Sequence, residues 1–556
     1  MNAPQTPPAL DSPAMQAAFV AAMCRPEAYA ALHPVAEPVR CIETHISWVF
    51  LTGGFAYKVK KPLRLGFLDY STAARREAFC HEELRLNRRH APGLYVEVVA
   101  VTGSPSAPRL ERIEPPGEGA PVFEHALRMV QFDPRCELTQ LLRTDEVTAA
   151  ACAELGARIA QMQQAAAVAA VDAPFGVPDA VHRVTLANFD ELARVNAGAD
   201  VVAALREQSL SALQSQVQSL FDAQHERMAA RRERGHVREG HGDLHCGNVV
   251  RWQGSLVAFD GIEFDPALRW IDVASDIAFL TMDLSAHGRD DLRAAALQGW
   301  LTATGDFAAL PLLPYFECYR ALVRAKVAAL RAQQQASTSA RCIDDVRHYL
   351  GWASARTTRP APSLIVMAGL SGSGKTWLAQ RIAARLDALI VRSDIERKRL
   401  AGLGPLQASG SAPDAGLYSP DFNARTYARL GECVAHALEG GESIVVDAAN
   451  LRRGERERFL ALAARWNARA TIVHCRAPLD VLRQRVGARA ASGKDASEAT
   501  VTLLERQPSY WEDFSPAERA VLLETDTTDA EAIARSLQRL STTHHDRALG
   551  AAAAPK

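Results

Sequence analysis

Few segments restrict a fold as tightly as residues 364 to 378, LIVMAGLSGSGKTWL: an apolar run, a glycine-rich turn, then Lys-Thr opening a helical pattern. Gly369, Gly374, Lys375 and Thr376 fill the fixed positions of G-x-x-x-x-G-K-[ST], with Leu370, Ser371, Gly372 and Ser373 between them. Glycines let the backbone curl so that successive N–H groups point at a phosphate, and the helix N-terminus adds partial positive charge. In such a loop the lysine bridges β- and γ-oxygens and the threonine ligates Mg²⁺, so ATP and Mg²⁺ are the expected cofactors.

Lysine usage sharpens the reading. The 556 residues hold only eight lysines among 63 cationic residues. One is Lys375, and three more crowd into YKVKK as Lys58, Lys60 and Lys61. A compact ammonium on a flexible stem suits a phosphate grip. The length implies two or three domains, and 48% hydrophobic with 23% charged residues is ordinary globular composition. Residues 363–556 carry 26 basic and 23 acidic residues, net +3, and the preceding residues are net -4. Neither half has the strongly basic signature of a nucleic-acid binder. Ten scattered cysteines without a C-x-x-C pair read as reduced, cytoplasmic usage. The N-terminus lacks a basic region ahead of an apolar core, and no apolar run approaches bilayer length, which argues against export or a membrane partner.

Along the chain, residues 1–34 read as an N-terminal extension, its first dozen residues Pro/Ala-rich and disordered, with Ser12-Pro13 capping a short helix. ISWVFL and AYKVKK form strands joined at Thr52-Gly53-Gly54, and a helix follows from Ser71 until Pro92-Gly93 stops it. YVEVVAV and HALRMVQF are further strands, and helices dominate from 137 to 234 and again up to Leu350. The Pro- and small-residue-rich stretch 351–362 reads as a linker. Beyond it, LIVMA, ALIVRSD, SIVVD, ATIVHC and AVLLET alternate with helical segments, predicting a parallel sheet with helices on both faces over 363–542, before a disordered tail at 543–556. The fold class is thus α+β over 35–350 joined to α/β over 363–542.

HGDLHCGN at 241–248 is a second chemical constellation. Asp243 and Asn248 stand five apart, the spacing of the kinase catalytic loop in which an Asp accepts the acceptor's proton and an Asn holds Mg²⁺. Asp260 ends the next apolar run, placed to chelate the same metal. His241, His245 and Cys246 offer an alternative zinc set, with no second ligand cluster beside them. Period-two alternation puts Lys58 and Lys60 on one strand face, and Glu83 shares a helix face with Phe79 and Leu86. Lys58 with Glu83 is the expected phosphate-gripping pair, with Lys60 or Glu82 as the fallback.

With THISWVFLTGGFAYKVKKP, GFLDYS, HGDLHCGN and FDGIEFDPALRWIDVASDIAFL, residues 35–350 resemble the aminoglycoside phosphotransferase group of the protein-kinase-like fold, in a bacterial branch fused to an ATP-binding P-loop domain. The resemblance implies a two-lobed fold, Asp243 as catalytic base, Asn248 and Asp260 as metal ligands, and His241 and Asp276 as supports of the loop. One departure stands out: Gly53-Gly54 replaces a full G-x-G-x-x-G.

For the second half, the strand ending at Asp447 lacks the Asp-Glu pair of a hydrolysing motor, and no N-K-x-D guanine reader occurs. A kinase is expected, with Asp394 orienting or deprotonating an acceptor hydroxyl, Arg397 holding an anionic acceptor, and Asp447 near Mg²⁺. Arg485 and Arg489 lie at i and i+4 on an Arg-rich helix that reads as a lid closing over the transferred phosphoryl. Residues 363–542 resemble the gluconate-kinase, polynucleotide-kinase and zeta-toxin-like P-loop kinases. The expected activity is transfer of the γ-phosphoryl of ATP to hydroxyls of small-molecule acceptors at two sites. ATP-sensing without transfer, or a nucleic-acid end kinase in the second half, are the rival readings.

Overall fold

The computed structural model describes residues 10–36, 38–65, 68–113, 120–195, 209–334, 339–358, 361–411, 415–492 and 495–551. The disorder expected for residues 1–9, the Gly66-Phe67 part of GFLDYS, and the Gly493-Lys494 break in the lid lie outside them. By packing, the chain forms two compact units. The first comprises 1–151, 161–177 and 230–276, and the second 152–160, 178–229 and 277–556. The helix-bearing segments 178–229 and 277–350 therefore group with the P-loop sheet, although the sequence reading put a boundary after them.

The first unit is organised by a six-stranded sheet in the order Arg40–Glu43, Ser47–Leu51, Phe55–Lys60, Val122–Val130, Tyr95–Ser104, Ala107–Arg112, every neighbouring pair antiparallel. Gly53, at φ 88°, turns the hairpin between Ser47–Leu51 and Phe55–Lys60, where the Thr52 N–H donates to the Phe55 carbonyl at 2.9 Å. Alternation then sorts the strand Phe55–Lys60. Tyr57 and Val59 join Trp48 and Phe50 in one apolar cluster, while Lys58 and Lys60 belong to the opposite face. The helix Pro13–Met23 is capped by Ser12 and covers the apolar face, with the Phe19 ring 6.1 Å from Trp48 and 6.3 Å from Phe50. What reads as an extension is thus part of the core, because without Phe19 and Met23 that face would meet water. The lysine face receives the helix Ala73–His90, N-capped by Thr72, and brings its buried Glu83 to the ammonium groups.

In the second unit five parallel strands run in the order Leu389–Arg392, Ile444–Asp447, Ser363–Ala368, Arg469–Arg476, Leu522–Asp526. All six residues of the central strand are buried, as expected where helices cover both faces. Ile365, Met367, Val445 and Val473 pack with Leu378, Ile382 and Leu386 of the helix Lys375–Leu386 and with Leu540 of Ala530–Ala551. That last helix reaches Ala551, into the stretch read as a tail, consistent with the helix preference of its alanines. The helices Pro420–Glu439 and Arg453–Arg465 pack against the sheet as well.

Four charged side chains tie the preceding helices to this sheet. Arg293 of the helix Asp290–Thr304 pairs with Glu317 at 3.0 Å and with Glu442 at 2.7 Å, and Arg356 also reaches both carboxylates. All four are 0–4% exposed at their side chains, and Glu442 lies just before the strand Ile444–Asp447. Arg356 sits on the helix Ser339–Thr357, which runs into the stretch read as a linker, since this pairing holds its last turn in place. Glu442→Ala would leave two guanidinium groups buried without half of their compensation, so it should destabilise the second unit by about 3–5 kcal/mol. Urea unfolding of the full chain measures this, and a loss below about 1 kcal/mol, the level of an exposed pair, would contradict it.

Candidate functional site

The loop after the central strand needs backbone that only glycine adopts without strain. Gly372, at φ 80°, faces the neighbouring helix so closely that a Cβ would lie 2.7 Å from the Leu482 carbonyl oxygen. Gly374, in the left-handed region, caps the helix Lys375–Leu386. The Lys375 Nζ donates to the carbonyls of Gly369 at 2.9 Å and Leu370 at 2.8 Å. Burial lowers its pKa, against the opposing pull of Asp447. Asp447 is 5% exposed, and burial raises its carboxyl although Arg392, Thr376 and Lys375 act the other way. The Thr376 hydroxyl bonds to Asp447, and the Arg392 Nε lies 3.3 Å from it. Thr376 and Asp447 present hard oxygen donors beside a lysine, a set whose chemistry would suit Mg²⁺ and phosphate oxygens. The Ser373 hydroxyl, buried in the same loop, has no partner among the described residues, which fits a loop meant to receive acceptor atoms.

Two contacts that shape this loop were invisible in the sequence. Gln507 accepts from the Ser371 N–H at 2.7 Å and donates to its hydroxyl at 3.0 Å. Thr527 donates to the Ser373 carbonyl at 2.9 Å and accepts from the Arg485 Nη1 at 2.9 Å. Arg485 is therefore held against the loop's own support, with Gly372 O at 3.4 Å, and its helix Leu479–Ser492 packs through Leu482 and Val486 on Leu504. Arg489, half-buried one turn on, lies near Lys375, whose pKa it pushes down. Asp394 is not at a strand end but in the first turn of the helix Ser393–Leu400, after the strand closes at Arg392. It pairs with Arg397 at 3.1 Å, and Arg397 also donates to Asn423 at 2.9 Å. That guanidinium is already engaged by a carboxylate, so an anionic acceptor would have to compete for it.

The first unit gathers its own charged set. Lys58 lies 2.8 Å from Glu83 and 2.6 Å from Asp260, whereas Lys60 bonds the other Glu83 oxygen at 2.6 Å and is closed off by Glu263 and Tyr70. Lys60 is 1% exposed, and of the two lysines Lys58 is the one that reaches Asp260. Glu82 is not an alternative, since Arg85 and Arg269 hold it at 2.7 Å. Glu263 was unassigned in the sequence, although it stands three residues after Asp260.

The loop 241–248 is supported from below. Asp276 accepts from the backbone N–H of His241 and of Gly242, both at 3.0 Å, and His241 Nδ1 accepts from the Asp243 N–H at 3.3 Å. The His241 Nε2 lies 2.9 Å from the Phe259 carbonyl, so both ring nitrogens are engaged and the zinc reading has no ligand there. Asn248 donates to the Asp243 carboxylate at 3.0 Å, leaving its amide oxygen for other work. Asp260 takes φ 60°, its N–H donating to the Tyr95 hydroxyl at 2.9 Å. Among the described residues no three His, Cys, Asp or Glu form a closed metal cage. The Phe259 N–H donates to the Asn248 carbonyl at 2.9 Å, which sets Asp260 in the chain next to the strand partner of Asn248.

Residues 364–513 match the AAA domain family model. An uncharacterized protein of Mycobacterium tuberculosis is 28% identical over 485 residues, covering 86% of this chain and 92% of the relative. Among solved structures, a gluconokinase from Sinorhizobium meliloti is 22% identical, covering 34% of this chain and 99% of that one, with a TM-score of 0.25. The Mycobacterium tuberculosis APS kinase CysC, in complex with AMPPNP and APS, is 19% identical, with coverages of 33% and 96% and a TM-score of 0.24. Among the described residues no helix is long and apolar enough to cross a membrane.

The charge geometry sets a pH dependence. Burial alone would raise the Glu83 carboxyl, but Lys58 and Lys60 overcome it and hold it at about 2, below the ordinary 4.5. A carboxyl depressed in the folded state stabilises fully above its unfolded pKa, and that contribution fades as pH falls from 4.5 towards 2. The stability difference between wild type and Glu83→Gln, from urea unfolding followed by far-UV circular dichroism, should therefore shrink across that window. A difference constant over the window would contradict the assignment.

Proposed function

We propose that this protein is an ATP-dependent phosphotransferase with two nucleotide sites, each transferring the γ-phosphoryl group to a hydroxyl of a small molecule. The observation that carries the reading is a lysine beside a carboxylate in each unit, Lys375 with Asp447 and its hydrogen-bonded Thr376, and Lys58 with Asp260, which follows the strand partner of Asn248 in the Asp243–Asn248 loop. The likeness of the second site to a P-loop ATPase domain supports it, and the first unit joins a kinase-type Lys-Glu pair to an Asp-x-x-x-x-Asn loop.

At either site the acceptor oxygen forms a bond to the γ-phosphorus while the bond to the bridging oxygen breaks, and ADP leaves with that electron pair. The hydroxyl proton passes to Asp243 in the first unit and to Asp394 in the P-loop domain. Lys58, oriented by Glu83, and Lys375 bind phosphate oxygens, and Arg489 adds positive charge near Lys375. Arg485 acts by bracing the loop through Thr527. Mg²⁺, held by Asn248 and Asp260 in one site and by Thr376 with Asp447 in the other, would neutralise charge on the phosphates.

A second reading for the first unit is nucleotide sensing without transfer. It draws on the short Gly53-Gly54 turn, whose Gly53 N–H is already taken by the Gln131 side chain at 3.0 Å. Release of ADP and transfer of γ-phosphate label to a pool of hydroxylated metabolites and aminoglycosides separate the two. Asp243→Asn should remove one component of transfer by about 10²–10⁴-fold, Lys375→Ala the other, and the double variant both. Label transfer by the double variant equal to wild type would refute the proposal. Loss in Lys375→Ala alone, with Asp243→Asn unchanged, would favour sensing in the first unit.

A further inference from the structure

A cavity of about 210 Å³ lies within the second unit, with Thr376 and Asp447 in its wall. Its opposite wall is not part of the residues 364–513 that match the AAA domain family model. Leu301, Thr302 and Phe307 supply it, from the end of the helix Asp290–Thr304 and the turn that follows. That helix is fastened to the sheet at the cavity's edge. The Gln298 side chain accepts from the Ile390 N–H at 2.7 Å and donates to the Ile390 carbonyl at 3.1 Å, satisfying backbone groups that the edge strand Leu389–Arg392 would otherwise leave open. Arg399 donates to the Thr302 carbonyl at 2.8 Å and Arg429 to the Gly305 carbonyl at 2.6 Å, so both ends of the wall are pinned.

We propose that this cavity is the acceptor site of the P-loop phosphotransfer and that it takes a compact uncharged polyol, a five- or six-carbon sugar, sugar alcohol or cyclitol. The inference rests on the phosphotransferase reading above and adds the class of acceptor and the residues that select it. Position is the first argument: the wall contains the threonine and aspartate that frame the phosphate end, and Asp394, the base assigned above, stands in the chain between the lining residues Arg392 and Ile395, close enough for its charge to act on both Lys375 and Asp447. Size is the second, since a cavity of about 150 Å³ accommodates benzene, and 210 Å³ leaves room for a hydroxylated ring or chain of that carbon count. Charge is the third. Arg392 is committed to Asp447 at 3.3 Å and Asp495 at 3.1 Å, and Glu396 to Arg399 at 3.1 Å and Arg429 at 2.9 Å. An ionic acceptor would have to break one of these pairs, whereas hydroxyls can donate to the outer lone pairs of the carboxylates and leave the pairs intact. Leu301 and Phe307 then cover the carbon skeleton.

The test uses full-length Asp243→Asn protein, so that only the P-loop site is read. Transfer of γ-phosphate label from Mg–ATP is measured to D-ribose, D-glucose, xylitol and myo-inositol, beside the anionic probes D-gluconate and 3-phosphoglycerate. At least one uncharged probe should be labelled in a Lys375-dependent manner. Thr302→Phe, which fills the cavity, should lower kcat/KM for that probe by about tenfold or more. Its affinity for Mg–AMPPNP should stay within about twofold of the parent, which also verifies that the variant is folded. Lys375-dependent labelling of the anionic probes alone, or polyol kinetics indifferent to Thr302→Phe, would overturn the assignment while leaving phosphotransfer standing. Label transfer that ignores Lys375→Ala would overturn the phosphotransferase reading, and this assignment with it.

Discussion

An ammonium group withdrawn from water must find oxygen partners or lose its proton, and each unit of this protein is arranged around that requirement. In the first, two lysines two residues apart on one strand share the carboxylate of Glu83, and the rest of their surroundings differ: Glu263 and Tyr70 enclose Lys60, while Asp260 faces Lys58. Burial opposes both charges, but the carboxylates outweigh it and raise both pKa values above the ordinary lysine range. In the second, Lys375 has backbone carbonyls as direct partners, and there burial prevails and lowers its pKa. The two solutions differ in what a phosphate would displace: a carboxylate at Lys58, and only neutral carbonyls at Lys375.

The same logic holds the larger parts together. Arg293 and Arg356 can be buried because Glu317 and Glu442 come from two sides to meet them, which fixes the helices that flank the P-loop sheet in one position. Buried pairs of this kind supply geometric definition more than net stability. Here that definition lets a helix outside the matched domain act as the wall of a cavity beside Thr376, something a mobile linker would not allow. The second unit is therefore a P-loop sheet built onto a helical partner.

The sequence disclosed what depends on local pattern. The phosphate loop, the five parallel strands and the hairpin at Gly53 were legible because each is set by glycine placement or apolar runs within a few residues. Glu83 was legible from helix periodicity, yet Glu82 and Lys60 could not be dismissed on that basis. Adjacent helix residues and alternate strand residues are distinguished only by what the rest of the fold brings near, here Arg269 for Glu82 and Glu263 for Lys60. Gln507 and Thr527 carry no motif, and their contacts with the phosphate loop arise from segments more than a hundred residues downstream. The Arg485 and Arg489 spacing correctly placed both on one helix, but whether an arginine braces a loop or closes over it is decided by tertiary contact. The wall formed by Leu301 and Phe307 was illegible for the same reason, being an ordinary buried apolar stretch in any local reading.

The claim on which the account stands is that two separate lysines grip two separate nucleotides. Isothermal titration of the full-length protein with Mg–AMPPNP tests it most directly. The account predicts two molecules bound per chain, one remaining after Lys58→Met, one remaining after Lys375→Ala, and none when both are changed. A wild-type stoichiometry of one, or two sites persisting in Lys58→Met, would contradict it.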